Sequence, residues 1–264
     1  MTGSVDRRSV RLVGLDAASQ RSKFGYALGQ LDAESGRVTV EQAGLLEDAG
    51  DLICDQIVQF ISGGERALIA IDAPLGWPDG LKQLLHGHDA GMAPPEKLEK
   101  HDTFRRHTEK VVRDVKVPLE VAADRIARAT FEALCVLNEL RTLSQLKLPL
   151  AWCPEFKGAA SIEVYPGATL AARKLAKAPY KARDEASGRQ QITDSIVREG
   201  LVATLPGEAN RRALQNADVL DAILCMVAAR DFLMGECQPP DDAYLDQARR
   251  EGWIWVRRKD LERK

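Results

Sequence analysis

Apolar runs in the first third of the chain predict four β-strands. The first run, residues 10–15, ends at Asp16, and segments 23–31 and 37–46 follow with the turn sequence "DAESG" between them. These three segments predict an antiparallel meander. A fourth run, "LIAID", ends at Asp72 and is followed at once by "APLG", which is typical of a buried strand in an α/β sheet.

Helical periodicity predicts most of the remaining elements. Residues 48–62 place five apolar side chains on one helical face, and Gly63 and Gly64 end that helix, so the order to Asp72 is β-β-β-α-β. The members of the apolar face are Leu52, Ile53, Ile57, Phe60 and Ile61. Later predicted elements are a strand within 159–170, helices over 187–203, 207–215 and 216–233, and a final strand at 253–256.

Residues 77–158 differ in character from the segments on either side. They contain helical patterns, several prolines, all four histidines and many lysines and arginines. We interpret them as a mostly helical insertion within a single domain spanning residues 1–264.

Composition narrows the class of protein without identifying its activity. Of the 264 residues, 45% are hydrophobic and 29% charged, and the net charge of −2 means that any polyanion site needs a local basic patch. Five cysteines without C-x-x-C spacing predict reduced thiols in a cytoplasmic protein. We expect neither a secretory signal nor a membrane span, because no apolar segment of suitable length is present.

Four acidic residues stand where α/β proteins present ligands. Asp16 and Asp72 end predicted strands, whereas Asp218 and Asp221 begin a predicted helix at a spacing of three, which puts both on one face. Carboxylates that meet in a buried place repel one another unless a divalent cation neutralises them. Such oxygen ligands suit Mg²⁺ or Mn²⁺, and two ions roughly 4 Å apart can hydrolyse a phosphodiester. For each residue alone an alternative stays open, because Asp is also common in turns and at helix starts.

Successive motifs of the chain resemble those of a known family. They are "VGLDAASQRSKFGYAL", "IAIDAPLGWP", "FRRHTEKVV", "SIEVYPGATL", "DVLDAILCMVAA" and "EGWIW". Together they resemble the domain-of-unknown-function 429 family of predicted ribonuclease-H-like nucleases, from about residue 10 to 256. The D-x-x-D-A helix also resembles the closing helix of Holliday-junction resolvases, where the acidic pair binds metal.

The resemblance implies a fold and a set of site residues. The implied fold is a ribonuclease-H-like α/β domain with a mixed five-stranded sheet in the order β-β-β-α-β-α-β-α and a helical insertion. The implied metal ligands, which are also catalytic, are Asp16, Asp72, Asp218 and Asp221.

Several further residues have both a functional and a structural interpretation. Glu163 alternates with Ile162 and faces the opposite side of its strand; the family motif makes it a catalytic acid, and a surface glutamate is the alternative. Arg105 and Arg106 belong to a family element that implies phosphate binding, whereas the spacing of Arg106 and Glu109 predicts an intrahelical ion pair.

Two other candidates and a histidine cluster complete the set. Lys181 is a phosphate contact by resemblance and otherwise a mobile surface lysine, and Trp77 is either a wall of the cleft or a base-stacking platform. His86 and His88 lack the second ligand pair that a known zinc spacing requires, so we expect a polar loop there.

The sequence therefore predicts a divalent-metal-dependent nuclease that holds nucleic acid through basic residues of the insertion. These residues are Lys97, Lys100, Arg105, Arg106, Lys110 and Arg113. A phosphotransferase of the actin-like and sugar-kinase superfamily is an alternative, although those proteins pair two domains, and a non-catalytic nucleic-acid-binding module is another. A homodimer is expected only by analogy with the resolvases, and the sequence leaves the substrate open.

Overall fold

One six-stranded sheet organises the protein, whose computed structural model describes residues 9–49 and 53–261. The strands are β1 (Ser9–Asp16), β2 (Gly25–Asp32), β3 (Arg37–Leu45), β4 (Arg66–Asp72), β5 (Gly158–Glu163) and β6 (Val202–Thr204). Their order across the sheet is β5-β4-β1-β2-β3-β6. Strand β2 is antiparallel to β1 and β3, whereas β1–β4, β4–β5 and β3–β6 are parallel. The fold is therefore a mixed α/β fold.

Helices connect and cover the strands. Those in the described residues are α1 (Leu46–Ala49), α2 (Ile53–Ser62), α3 (Asp79–Leu85), α4 (Lys100–Phe104), α5 (His107–Val112), α6 (Asp124–Ser144), α7 (Pro166–Ala172), α8 (Ala186–Arg198), α9 (Gly207–Gln215), α10 (Ala217–Leu233) and α11 (Leu245–Glu251). None of them combines the length and apolar character that crossing a lipid bilayer requires. The segment predicted as an insertion holds α3 to α6, joined by long irregular stretches.

Both faces of the sheet are covered, which explains the continuous apolar runs of β1 and β4. Side chains alternate across a strand, so Leu12 and Leu68 belong to the core beneath α10, whereas Val13 and Ile69 belong to the core beneath α2 and α6. A strand buried on both faces has few polar positions. The carboxylates at the ends of β1 and β4 therefore lie at the margin of an otherwise apolar layer.

Helix α10 lies unusually close to the sheet because two glycines face it. A Cβ added to Gly14 would lie 2.0 Å from the carbonyl oxygen of Ala222, and one added to Gly25 would lie 2.0 Å from that of Asp218. Any side chain at either position would push the helix outward. The two glycines thus set the distance between the start of α10 and the ends of β1 and β4.

The predicted five-stranded sheet is wrong in one respect, because the sheet has a sixth strand. The helix predicted over 187–203 ends at Arg198, because Gly200 adopts φ +69° and reverses the chain. Residues Val202–Thr204 then pair with β3 as β6. The helical periodicity of this segment did not indicate where it stops.

The final strand predicted at 253–256 is also corrected. This segment is extended and buried, but it forms only single bridges, from Ile254 to Glu163 and from Arg257 to Cys237. The N–H of Ile254 donates to the side-chain oxygen of Thr108 at 2.8 Å, so it takes no part in a strand ladder.

Two other predicted boundaries differ in the structure. The single helix predicted over 48–62 is seen as α1 and α2, and residues 50–52, including Leu52 of the predicted apolar face, lie outside the described residues. Strand β5 ends at Glu163, and Pro166 begins α7 as a first-turn proline.

We predict that Gly14→Ala lowers the free energy of unfolding by at least about 2 kcal/mol, because the added methyl group meets the helix backbone, which cannot rotate away. Urea denaturation measures the change. The control is Gly207→Ala at the start of α9, where no atom lies within 4 Å of the added Cβ and stability should stay equal or rise slightly. Equal midpoints for the Gly14 variant and wild type would contradict this close packing.

Candidate functional site

Strand pairing brings Asp16 and Asp72 together. They are the last residues of β1 and β4, and the parallel register places them side by side. The N–H of Ala17 donates to the carbonyl oxygen of Asp72 at 3.4 Å, which joins the two strand ends. By alternation both carboxylates share the sheet face of Gly14, the face that α10 covers.

Helix α10 adds two more carboxylates to this edge. The side chain of Asn216 caps the helix by accepting the N–H of Asp218 at 2.7 Å. Asp221, one turn further on, is completely buried, and Asp218 is partly exposed. Four acidic side chains from three elements therefore gather at the carboxyl ends of two parallel strands.

The electrostatics of this acidic cluster, Asp16, Asp72, Asp218 and Asp221, show that its negative charge is poorly compensated. Burial, followed by the charge of Asp221, raises the pKa of Asp72 to about 7. Burial and the charges of Asp221 and Asp72 raise the pKa of Asp16 well above its usual value. The pKa values of Asp218 and Asp221 are also raised by burial, although Lys181 opposes the shift at both.

Lys181 and Tyr180 supply the direct donors to the buried Asp221. The Lys181 ammonium forms an ion pair with Oδ2 of Asp221, and the Tyr180 hydroxyl donates to Oδ1 at 3.1 Å. Burial would lower the pKa of Lys181, but the charges of Asp221 and Asp16 outweigh it and raise that pKa. The lysine side chain stays 60% exposed, so it approaches the cluster from the solvent side.

Arg189 holds the loop that carries these two donors. Its guanidinium is buried and donates to backbone carbonyl oxygens within and beside that loop. The acceptors are Leu214, Tyr180, Ala182 and Arg183, at 2.6 to 3.0 Å. A polar cavity of about 330 Å³ opens beside the loop, lined by Lys181, Arg183 and Asp218 among others. The sequence analysis gave no role to Tyr180 or Arg189, because Tyr180 bonds to Asp221, 41 positions away, and Arg189 bonds to backbone carbonyl groups that only the folded loop brings together.

The acidic cluster fits a divalent cation in charge and ligand type. Four carboxylates are opposed chiefly by one lysine, and carboxylate oxygens are the ligands that Mg²⁺ and Mn²⁺ prefer. Within the described part of the chain, however, no three His, Cys, Asp or Glu side chains are grouped as ligands of one metal ion. Both carboxylate oxygens of Asp221 already accept hydrogen bonds from the protein. The acidic cluster therefore suits a divalent cation by the chemical type of its ligands, and its side chains are not arranged as a preformed metal site.

Glu163 and Arg106 bind each other beside the acidic cluster, close enough for the charge of Glu163 to raise the pKa of Asp72 further. Glu163 faces the side of the sheet opposite to α10, where Arg106 donates to its two oxygens at 2.6 and 2.8 Å and to Glu109 at 2.9 Å. The arginine is 1% exposed and cannot grip a phosphate in this arrangement. Glu163 therefore borders the acidic cluster as a partner of Arg106, and the predicted ion pair of Arg106 with Glu109 is present.

This buried ion-pair group connects distant parts of the chain. Arg106 also donates to the carbonyl oxygen of Glu251 at 3.0 Å, and Glu163 accepts the N–H of Leu75 at 2.9 Å. The Glu251 carboxylate accepts the N–H groups of Asp79 and His107 at 2.8 and 2.9 Å. The insertion, the end of β4 and the C-terminal segment are thus tied to β5. Glu251 was not predicted, since its partners lie more than a hundred residues away.

The other predicted substrate contacts are partly neutralised or set apart. Arg105 pairs with Glu120 at 3.1 Å, and Lys110 pairs with Asp102 at 2.5 Å. Trp77 is partly buried, directly after the turn that follows β4. The basic patch predicted on the insertion is therefore weaker than its lysine and arginine content indicates.

Comparison with known proteins shows a family match over most of the chain. The model of a family described as "Protein of unknown function (DUF429)" matches residues 14–244, a range that includes the whole acidic cluster. No protein with a curated description and no solved structure matches the chain.

We predict that the metal-free protein loses stability as the pH rises from about 4 to above 7. The folded pKa of Asp72, about 7, exceeds its usual 3.8, so in this window the folded state binds more protons than the unfolded state. Asp72→Asn should therefore be more stable than wild type at pH 8, by several kcal/mol at about 1.4 kcal/mol per pKa unit, and less sensitive to pH. Urea denaturation in a chelator at pH 5 and pH 8 measures both effects.

The matched control for this prediction is Asp79→Asn. Although burial opposes the shift, Lys82 and Arg250 lower the pKa of Asp79, so its loss should destabilise the protein at pH 8. If Asp72→Asn lost as much stability between pH 5 and pH 8 as wild type, the raised pKa of Asp72 would be disproved.

We predict that Arg106→Met destabilises the protein by about 3–5 kcal/mol, because it leaves Glu109 and Glu163 buried without their common partner. The loss should be larger at pH 8 than at pH 5, because burial raises the pKa of Glu109 and the variant removes the Arg106 charge that opposes this rise. Arg128→Met, which removes an exposed pair with Asp124, is the control and should change stability little. Similar midpoints for the two variants would rule out a structural role for the buried group.

Proposed function

The chain belongs to the family described as "Protein of unknown function (DUF429)", and we propose that it is a divalent-metal-dependent phosphodiesterase acting on nucleic acid or nucleotides. The proposal is based on the acidic cluster. The observation that carries the proposal is the meeting of Asp16, Asp72 and Asp221 at one sheet edge with raised pKa values. Strongly perturbed carboxylates gathered in a cleft are typical of catalytic sites.

The order of elements supports a ribonuclease-H-like fold for this proposal. An antiparallel meander, β1 to β3, is followed by a helix, by the parallel strands β4 and β5, and later by α10. This is the predicted β-β-β-α-β-α-β-α order with β6 added at the far edge. A fold alone does not fix an activity, so the argument rests on the residues.

In this proposal the four aspartates hold the cation. When bound, a divalent cation supplies stabilisation of negative charge on the phosphate and makes water nucleophilic at neutral pH. Overall, the water oxygen bonds to phosphorus, the bond from phosphorus to the leaving oxygen breaks, and that oxygen takes up a proton. Asp16, Asp72 and Asp221 would hold the cation, and Asp218 faces the polar cavity.

Lys181 has two partners in this scheme. Its ammonium compensates Asp221 in the protein as described, and a cation at the cluster would replace that compensation. The freed lysine, on the edge of the polar cavity, is then able to contact a non-bridging phosphate oxygen. Tyr180 keeps Asp221 oriented through its hydroxyl group.

We predict that Asp72→Asn and Asp221→Asn each lower phosphodiester hydrolysis by more than about 100-fold, since even the partners of metal ligands contribute 10- to 100-fold. Mn²⁺ binding is measured by calorimetry, and hydrolysis is measured on single-stranded RNA, single-stranded DNA, branched DNA and bis(p-nitrophenyl) phosphate. Asp79→Asn, a partly buried aspartate outside the cluster, is the control and should keep both properties.

Three results would overturn the proposal. They are wild-type turnover in purified Asp72→Asn, no Mn²⁺ binding by the wild-type protein, and thermal stabilisation by ATP and Mg²⁺ without hydrolysis of any phosphodiester, which would favour the phosphotransferase alternative.

A further inference from the structure

We propose that an apolar cavity beside Asp72 binds one six-membered base ring, so that the substrate is an unstacked pyrimidine nucleotide. This inference rests on the proposed function and deepens it by naming the substrate class. It is based on two cavities that border the acidic cluster, an apolar one at Asp72 and a polar one at Asp218.

The first cavity is apolar, and its volume distinguishes a single six-membered ring from a fused purine ring system. Its walls include Ala17, Ala73, Pro74, Leu119, Ile126 and Tyr165, and Asp72 lies at its edge. The volume is about 170 Å³. A cavity of about 150 Å³ lined by apolar side chains is known to hold benzene, so one six-membered ring fits here and a fused purine ring system overfills the space.

The charged groups in this cavity do not favour a phosphate. Arg106, Glu109 and Glu163 line it, but they are bonded to one another and carry one more negative than positive charge. Asp72 adds a further acid. An anion would be repelled here, whereas an uncharged planar ring would find apolar walls and the aromatic ring of Tyr165 for stacking.

The entrance of the cavity carries exposed apolar side chains. Leu119 is 68% exposed and Val117 is 62% exposed, both in the loop between α5 and α6. Large apolar side chains next to an apolar cavity are typical of a surface that a ligand covers. This observation is independent of the cavity's volume.

The second cavity has the chemistry that the first one lacks. It is polar, about 330 Å³ in volume, and lined by Lys181, Arg183 and Asn216, with Asp218 at its boundary. Since Asp72 borders one cavity and Asp218 the other, a nucleotide with its base in the apolar cavity directs its phosphate toward the acidic cluster and these basic groups. A base stacked inside a duplex cannot enter in this way, so the substrate is single-stranded nucleic acid or a small nucleotide that contains a phosphodiester bond.

The inference is tested by direct binding, with turnover left aside. We expect calorimetry on the full chain with Mn²⁺ to give cytidine 5′-monophosphate at least tenfold tighter binding than adenosine 5′-monophosphate, with ribose 5-phosphate the weakest. Ala129→Leu, which fills the apolar cavity from α6, and Leu119→Ser, which removes an exposed wall, should each weaken cytidylate binding about tenfold and leave Mn²⁺ affinity unchanged.

Leu85→Ser on α3 is the matched control, because Leu85 is 63% exposed and does not line the cavity. Equal affinity for cytidylate and ribose 5-phosphate, a preference for adenylate, or unchanged binding in both cavity variants would overturn the inference. Mn²⁺ binding and hydrolysis without base discrimination would reject this inference alone. Base discrimination without hydrolysis would reject the proposed function instead and leave the cavity assignment standing.

Discussion

The contact between the backbone of α10 and the backbone of the sheet is the constraint on which the rest of the structure depends. Gly14 and Gly25 let the helix approach so closely that the carbonyl oxygens of Ala222 and Asp218 occupy the space of their missing side chains. This contact fixes the depth at which the start of α10 meets the ends of β1 and β4. The acidic cluster is a consequence of that depth.

Such a cluster works against the stability of the fold that builds it. Burial raises the pKa values of Asp16, Asp72 and Asp221; the charge of Asp221 adds to the rise at Asp16 and Asp72, and Lys181 opposes the rise at all three. Proteins commonly hold destabilising groups where chemistry is done and make up the loss elsewhere. Here the buried charges of Arg106, Glu109 and Glu163, on the opposite face of the sheet, form ion pairs with one another, unlike most of those in the acidic cluster.

The sequence predicted the strands and helices whose pattern of apolar residues is local to the element, and it missed features that depend on a single residue or on a distant contact. Apolar runs located β1 and β4 and placed Asp16 and Asp72 at their ends, and the helical pattern of 216–233 located α10, since periodicity reflects burial directly. The sixth strand was missed because a single glycine at position 200 decides it. The strand predicted near Ile254 failed because a threonine side chain takes its backbone N–H.

Long-range pairing was the other limit of prediction. Spacing alone suggested that Arg106 pairs with Glu109, but its stronger partner, Glu163, lies 57 positions away along the chain. Which of two cavities a residue lines is likewise a property of the assembled fold. The metal-ligand and substrate-binding roles given to residues of the chain remain predictions, supported by charge and position.

The bridge from Ile254 to Glu163, with the Arg106 bond to Glu251, also bears on how the protein is made. On the ribosome, the sheet up to β4 can begin to fold as soon as it emerges, because its partners are close in sequence. Helix α10 and the C-terminal segment with Glu251 and Ile254, which contacts the insertion and β5, emerge much later. A nascent chain that has not yet reached α10 therefore has neither the complete acidic cluster nor the closed apolar cavity, so both form only after the segments that follow β5 have been added.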